Sequence, residues 1–187
     1  MAENLAAVGY RCRVLAAVIL AAGEARRYGG PKQLHPVGGR PMLEVVCETV
    51  AASGIGHRTV VLGAHAEQVA GAVDTHGAAT VVCERWRDGQ AASLRCGLES
   101  LDASVEEALI VLGDGPSLSA EAIRRVAAGF GPRAADYGGG RSHPVVLPRS
   151  TWGQLPAHGE TPGRSISVHL VDCSDLPEPG DVDYSER

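Results

Sequence analysis

Apolar positions along the chain fall into short blocks separated by polar, glycine-rich turns, and the spacing inside each block names its element. Val14–Ala22 is apolar throughout with no alternation, as a strand buried on both faces requires. Pro41 suits the first turn of a helix, and Met42, Leu43, Val45, Val46 and Val50 then recur along one stripe, with Gly54 as the stop. Arg58–Gly63 (RTVVLG) predicts a second strand, Glu67–Val73 a short helix and Ala79–Glu84 (ATVVCE) a third strand. Ala91–Leu101 carries Leu94, Leu98 and Leu101 at helical spacing, and Ala108–Gly113 (ALIVLG) is a fourth buried strand that ends at Asp114. Ser119 is placed to cap a helix over Ala120–Ala128, with Glu121 well sited in its first turn.

Strand and helix alternate four times across short connections. That rhythm predicts right-handed crossovers and an α/β fold, with a mostly parallel sheet covered by helices on both faces. After Gly129 it breaks. GFGPRAADYGGGRSHP reads as turns, Val145–Leu147 and His169–Cys173 as short strands, and LPEPGDVDYSER as a surface arm outside the core. The expected organisation is a loose tail over residues 1–13 and a single domain over 14–187.

Composition narrows the function classes. Apolar residues at 44% and charged residues at 21% describe a soluble globule, and the net charge of −5 with 4% aromatics offers neither a basic stripe nor stacking platforms for nucleic acid. An anionic ligand must therefore be held by a local cluster of cations or by a metal. The five cysteines (Cys12, Cys47, Cys83, Cys96, Cys173) form no C-x-x-C pair, which argues for small buried hydrophobes in a reducing compartment. The seven histidines make no zinc pattern. The first apolar block is too short to span a bilayer, and the polar segment before it lacks the order of a signal peptide, so a cytoplasmic protein is expected.

The chemistry concentrates in the turn after the first strand, GEARRYGGPKQL, which carries Arg26, Arg27 and Lys32. A strand end that delivers backbone N–H groups and fixed cations to one point suits a phosphorylated ligand, and open α/β sheets bind nucleotides at this position. The dinucleotide fingerprint G-x-G-x-x-G is absent, because Gly23 is followed by Glu24, Ala25 and Arg26. The P-loop is absent too, since Lys32 follows Pro31 and precedes Gln33. Three cations on a longer loop suit a triphosphate whose charge must be neutralised while a phosphorus centre is attacked.

Leu20, Ala21, Ala22, Gly23, Arg27, Gly29, Pro31 and Lys32 together resemble the signature L-A-A-G-x-x-x-R-x-G-x-P-K of the MobA-like nucleotidyltransferases. Further matches follow in family order. GQAASLRCGL from Gly89 resembles G-x-x-x-S-L-R-x-G-L, LGDGP resembles L-G-D-x-P, His143-Pro144-Val145 resembles H-P-V, and GDVDYSE resembles G-D-V-D-T-P-E. The resemblance implies a three-layer Rossmann-like nucleotidyltransferase fold and a metal-dependent reaction on a nucleoside triphosphate. L-A-A-G with P-K is closest to the molybdopterin cytidylyltransferases; the guanylyl-transferring members more often show L-A-G-G with D-K. Ala22 crowds a base pocket more than glycine would, which favours a pyrimidine and so CTP.

By family position, Lys32 is expected on the α-phosphate and Arg27 on the departing β/γ-phosphates, with backbone N–H groups from Gly23 to Gly29 around the same anion. Arg26 either joins them or faces solvent. Asp114, at the end of its strand, is expected as a Mg²⁺ ligand, or else as a cap on the Gly115-Pro116 turn. Asp183 in the terminal motif is the second metal-ligand candidate, or an exposed acid. Gly89, Ser93 and Arg95 are assigned to the base side of the nucleotide, with a capping serine and a surface arginine as the alternative. His143 is either an acceptor contact or a structural turn histidine, and Cys96 is packing.

The acceptor so implied is a phosphorylated small molecule, molybdopterin first, with a molybdoenzyme as a downstream partner. Ala25 where the family has Ser, Tyr28 for Met, and Tyr184-Ser185 for Thr-Pro depart from the pattern without removing a charge. Three rivals remain: a GTP-dependent guanylyltransferase, a Rossmann-type NAD(P)-dependent oxidoreductase, and a non-catalytic molybdenum cofactor carrier.

Overall fold

A computed structural model describes residues 13–25, 29–159 and 164–180. The first strand, β1 (Leu15–Ala21), is followed by a minor hairpin of β2 (Pro36–Val37) and β3 (Arg40–Pro41), and then by α1 (Met42–Ala52). Next come β4 (His57–Leu62), α2 (Ala66–Ala72), β5 (Ala79–Val82), α3 (Gln90–Glu99), β6 (Glu107–Leu112) and α4 (Ala120–Ala128). The last strands are β7 (Arg133–Asp136), β8 (Arg141–Pro148) and β9 (His169–Asp172). Seven strands form one sheet in the order β5-β4-β1-β6-β8-β7-β9, in which β8 alone of these strands runs against the rest. The mostly parallel α/β architecture expected from the alternating blocks is the one observed.

The unbroken apolar run of β1 follows from its central place, since both its faces are covered. Ala17, Ile19 and Ala21 pack with Leu43, Val46 and Val50 of α1, Val69 of α2, and Ile123 and Val126 of α4. Val18, Leu20 and Ala22 pack on the other face with Leu94 and Leu98 of α3. Alpha-3 lies unusually close to the sheet at Gly97, where an added Cβ would stand 2.6 Å from Val18 Cγ1 and 2.7 Å from Val61 Cγ2. Ser119 caps α4 as expected, its hydroxyl accepting from the Ala122 N–H at 3.1 Å.

The chain past Gly129 departs from its reading as turns. Residues 133–136 form β7, and β8 starts at Arg141, well before Val145. Beta-8 lies antiparallel between β6 and β7, so this half is a returning hairpin whose strands are tied by register and not by apolar runs. The C-terminal arm, expected to lie outside the core, is docked on it over its described part. Pro179 accepts from the Ser117 N–H at 3.0 Å, and Leu176 packs on the core. Residues 1–12 of the expected tail lie outside the described residues, while Arg13 is anchored by ion pairing to Glu107 at 3.0 Å.

Candidate active site

The chain goes from β1 outward through β4 to β5, then returns to place β6 on the other side of β1. The carboxyl ends of β1 and β6 therefore lie side by side at a reversal of strand order, which is where an open α/β sheet has room for a ligand. Ala22 and Gly23 leave one strand there, and Gly113 and Asp114 leave the other.

Lys32 returns to that point on a single 3-10 turn (Lys32–Leu34), and its Nζ donates to Asp114 Oδ2 at 3.0 Å. The ammonium side chain is only 13% exposed, while the carboxylate keeps 37% of its surface open. The two candidate charges, 82 residues apart in sequence, thus meet at one edge of the sheet. Between them, Gln33 donates through Nε2 to the carbonyls of Ala21 at 2.7 Å and Gly23 at 3.0 Å.

Two adjoining clefts open from this edge. The larger, about 470 Å³, is lined by Leu20, Ala22, Gly23, Ala25, Trp86, Arg87, Gly89, Gln90, Ser93 and Asp114. A smaller one of about 230 Å³ exposes Lys32, Gln33, Gly23 and Asp114. Gly89 turns the chain into α3 with φ of +98°, a conformation that disfavours any side chain, and so brings the start of α3 to the larger cleft. No side chain caps the helix there, and the Ala91 N–H donates to the Gly159 carbonyl at 2.9 Å. The guanidinium carbon of Arg87 stands over the Trp86 ring, 4.5 Å from its centre, at the same wall.

A third cleft of about 290 Å³ shares Leu20, Gln90 and Leu112 with the largest, and lies on its β8 side. It gathers Arg141, Arg164, Ser142 and His143. Burial, with the charge of Arg164 as the lesser cause, pulls Arg141 below the ordinary guanidinium range. Burial first, and then Arg141, push the His143 imidazole down to about 4, so it is neutral at physiological pH. Arg141, whose Nη1 donates to the Ile166 carbonyl at 2.8 Å, and Arg164 give this cleft a positive lining beside a neutral imidazole, which suits an anion.

Of the residues singled out in the sequence, Leu20, Ala21, Ala22, Gly23, Lys32, Gly89, Ser93 and Asp114 line the connected clefts around the Lys32–Asp114 pair. His143 stands in the adjoining one. Gly29 is exposed on the loop. Arg95 does not line these clefts; its Nη1 donates to the Leu155 carbonyl at 3.0 Å. Cys96 sits within α3, its thiol pushed up to about 11 by burial and then by Cys83, and so is chemically quiet. Arg26, Arg27 and Asp183 lie outside the described residues. Sequence reading missed Gln33, Trp86, Arg87, Arg141 and Arg164. Gln33 stood beside the key lysine but has no charge to draw notice, and Arg141 was hidden in a run read as turns.

The donor set also bears on a metal. Among the described residues no group of three or more His, Cys, Asp or Glu side chains comes together. Asp114, with Glu24 lining the same cleft, is a hard-oxygen donor suited to a cation such as Mg²⁺ that keeps waters and takes its other ligands from phosphate. The residues fit an ion that arrives with a nucleotide, not one caged by protein.

Residues 17–173 match the model of the MobA-like NTP transferase domain. The chain belongs to that family. It is thereby an enzyme of the nucleotidyltransferase type. It is 30% identical over 192 residues to the nicotine blue oxidoreductase of Paenarthrobacter nicotinovorans, covering 91% of this chain and 92% of that one. A nucleotidyl transferase from Methanothermobacter superposes with a TM-score of 0.78 over 91% of this chain and 92% of its own, at 21% identity, a likeness of fold. Rv0371c of Mycobacterium tuberculosis in complex with manganese superposes at 0.72 with 25% identity, over 84% of this chain and 87% of that one. That protein takes a divalent metal. No helix among the described residues is long and apolar enough to cross a membrane.

Proposed function

We propose that the protein is a Mg²⁺-dependent cytidylyltransferase that moves CMP from CTP to the phosphate of a small anionic acceptor, molybdopterin first, in the cytoplasm. The observation that carries this is the Lys32–Asp114 pair at 3.0 Å, set at the adjacent carboxyl ends of β1 and β6 and opening onto paired clefts. In this reading the larger cleft takes the nucleotide. The base and ribose lie against Ala22, Gly89 and Ser93, and the polyphosphate lies along the loop toward Lys32, with Arg26 and Arg27 as further cations. The cleft with Arg141, Arg164 and His143 takes the acceptor, and its shared wall at Leu20 and Leu112 puts the two reacting phosphates side by side.

An acceptor phosphate is already a nucleophile near neutral pH, so the reaction needs no general base. Its oxygen forms a bond to the α-phosphorus while the bond to the bridging β-oxygen breaks, and pyrophosphate leaves with the electron pair. The obstacle is the approach of two anions, and positioning with charge neutralisation lowers it. Lys32 would leave Asp114 for the α-phosphate. Asp114, with Asp183 as a second candidate, would hold a divalent ion, which would supply charge neutralisation to the reaction. Pyrophosphate release from CTP, GTP, ATP and UTP with Mg²⁺ and molybdopterin tests the reading. Release from CTP above the others supports it, and release from GTP in preference converts it to the guanylyl form.

The name borne by the Paenarthrobacter relative favours a second reading as an oxidoreductase, since the two chains match almost end to end. The missing dinucleotide fingerprint weighs against a nicotinamide cofactor. Quenching of NADPH fluorescence by the protein, with no pyrophosphate from any triphosphate, would reverse the ranking.

A further inference from the structure

Gln33 is the one buried, uncharged polar side chain among those that line the Lys32 cleft. It has 6% of its surface exposed, and both its donor bonds go to backbone carbonyls of the strand end that begins the nucleotide loop. Its other amide atom, Oε1, is buried with no hydrogen-bond partner. Flipping the amide gives no relief, because the oxygen would then face two carbonyl oxygens. The chemistry of the partners fixes the orientation.

Stability does not account for this arrangement. Two neutral hydrogen bonds are set against one acceptor left dry, contributions of similar size and opposite sign. A methionine of comparable volume would fill the space and leave no orphan on the side chain. What the amide does supply is geometric. It joins the residue after Lys32 to the carbonyls of Ala21 and Gly23, and so closes the base of the loop that spans Gly23 to Lys32. It also occupies two carbonyl oxygens that border the same cleft as Lys32 and Asp114, oxygens that would otherwise repel a polyphosphate. It does so without adding a charge that would compete for Asp114.

We infer that Gln33 is a positioning residue for polyphosphate. Its carboxamide ties the residue after Lys32 to Ala21 and Gly23 and neutralises the carbonyl face at the end of β1, so that Lys32 meets the anion without carbonyl repulsion beside it. The inference rests on the nucleotidyltransferase reading and extends it to a residue that never touches the reacting atoms.

The test compares wild type with Gln33→Met and Gln33→Glu by calorimetric titration of CTP and of inorganic tripolyphosphate with Mg²⁺, alongside thermal midpoints. Gln33→Met is expected to bind both ligands about tenfold more weakly, the worth of two neutral hydrogen bonds, while its midpoint stays within a few degrees. Gln33→Glu adds a signature that a space-filling role would not produce. Protonated, it still donates to one carbonyl; ionised, it repels both. Its affinity for tripolyphosphate therefore falls as pH rises from 5 to 9 more steeply than that of wild type. Should Gln33→Met fail to fold, this pH series decides the matter. Equal affinity in wild type and Gln33→Met, or a Gln33→Glu profile parallel to wild type, overturns the inference alone. A wild-type protein that binds neither ligand overturns it together with the transferase reading.

Discussion

The same two strands carry an ion pair at each end, and the pairs are built to opposite rules. At the amino end of β6, Glu107 is gripped by Arg133 through both oxygens, at 3.2 and 2.9 Å, and touched by Arg13 at 3.0 Å. Arg133 is fully buried and also donates to the carbonyls of Val126, Ala127 and Gly131, so its guanidinium is saturated. At the carboxyl end, Asp114 holds Lys32 at 3.0 Å but keeps more than a third of its surface in open clefts. A point charge on a flexible stem pairs with a carboxylate that has room for more ligands. The buried pair has nothing left to offer a ligand, whereas the pair at the carboxyl end opens onto the clefts and can exchange its partner. That difference, more than distance, separates structural charge from chemical charge in this molecule.

Cutting the saturated pair sharpens the contrast most. Glu107→Ala leaves Arg133 buried without its counter-charge, and is expected to lose about 3–5 kcal/mol of folding stability in denaturant titration. CTP affinity of the fraction still folded should not change. If the variant were as stable as wild type, the view of this end as the fold's electrostatic clasp would be wrong.

Lys32→Ala should do the reverse. Turnover measured as pyrophosphate release falls roughly 10²–10³-fold, while stability changes by less than about 1 kcal/mol, as for a partly exposed pair. With the ammonium gone, Asp114 loses a competing positive charge, so Mn²⁺ titrated without nucleotide binds more tightly than to wild type. Unchanged turnover would remove Lys32 from the chemistry and the Asp114 pairing with it.

The two halves of the chain also differ in how openly the sequence announces them. Strands β1, β4 and β6 are buried on both faces, so their apolar runs stood out, and the loop beside β1 was readable because its cations and glycines are contiguous. Neither condition holds beyond Gly129. RAAD of β7 is a short stretch flanked by glycines, and β8 begins at Arg141 and Ser142 because β7 supplies the register, not because of any apolar pattern. The meeting of Lys32 with Asp114 could be expected, since both follow strands that neighbour each other at the switch in strand order. The meeting of Arg141 with Arg164 could not, for it depends on where irregular chain returns to the sheet. Gln33 lacked any signal beyond adjacency, because its role lies in two carbonyls that the sequence does not distinguish from others.

The acceptor side tests whether the two clefts divide the labour. Arg164 is exposed at the rim of its cleft, so Arg164→Ala should leave the fold intact. Loss of a charge-assisted contact raises the KM for a phosphorylated acceptor roughly tenfold or more, with CTP affinity unaltered. A matching loss of CTP affinity would merge the two clefts into one site.

The smallest effect concerns His143, whose pKa falls from 6.5 to about 4 because the surrounding protein disfavours its charged form. In the unfolded chain the imidazole takes up a proton below pH 6.5, whereas the folded protein resists until about 4. Neutral His143 therefore imposes no penalty above pH 6.5, and stability drains away as pH falls from there toward 4. The imidazole keeps part of its surface in the clefts, so the loss is on the order of 2 kcal/mol, short of the full shift at about 1.4 kcal/mol per unit. Denaturant titrations at pH 7 and pH 4.5 should show this extra loss in wild type and a flatter response in His143→Gln. An imidazole resonance titrating near 6.5 would contradict it. The same neutrality separates the two clefts once more. Around the acceptor the positive charge comes from Arg141 and Arg164, so the KM of an acceptor whose phosphate is already ionised should show no histidine limb between pH 6 and 8. Such a limb, abolished by His143→Gln, would make the imidazole a charged anion ligand and give the acceptor side a third cation.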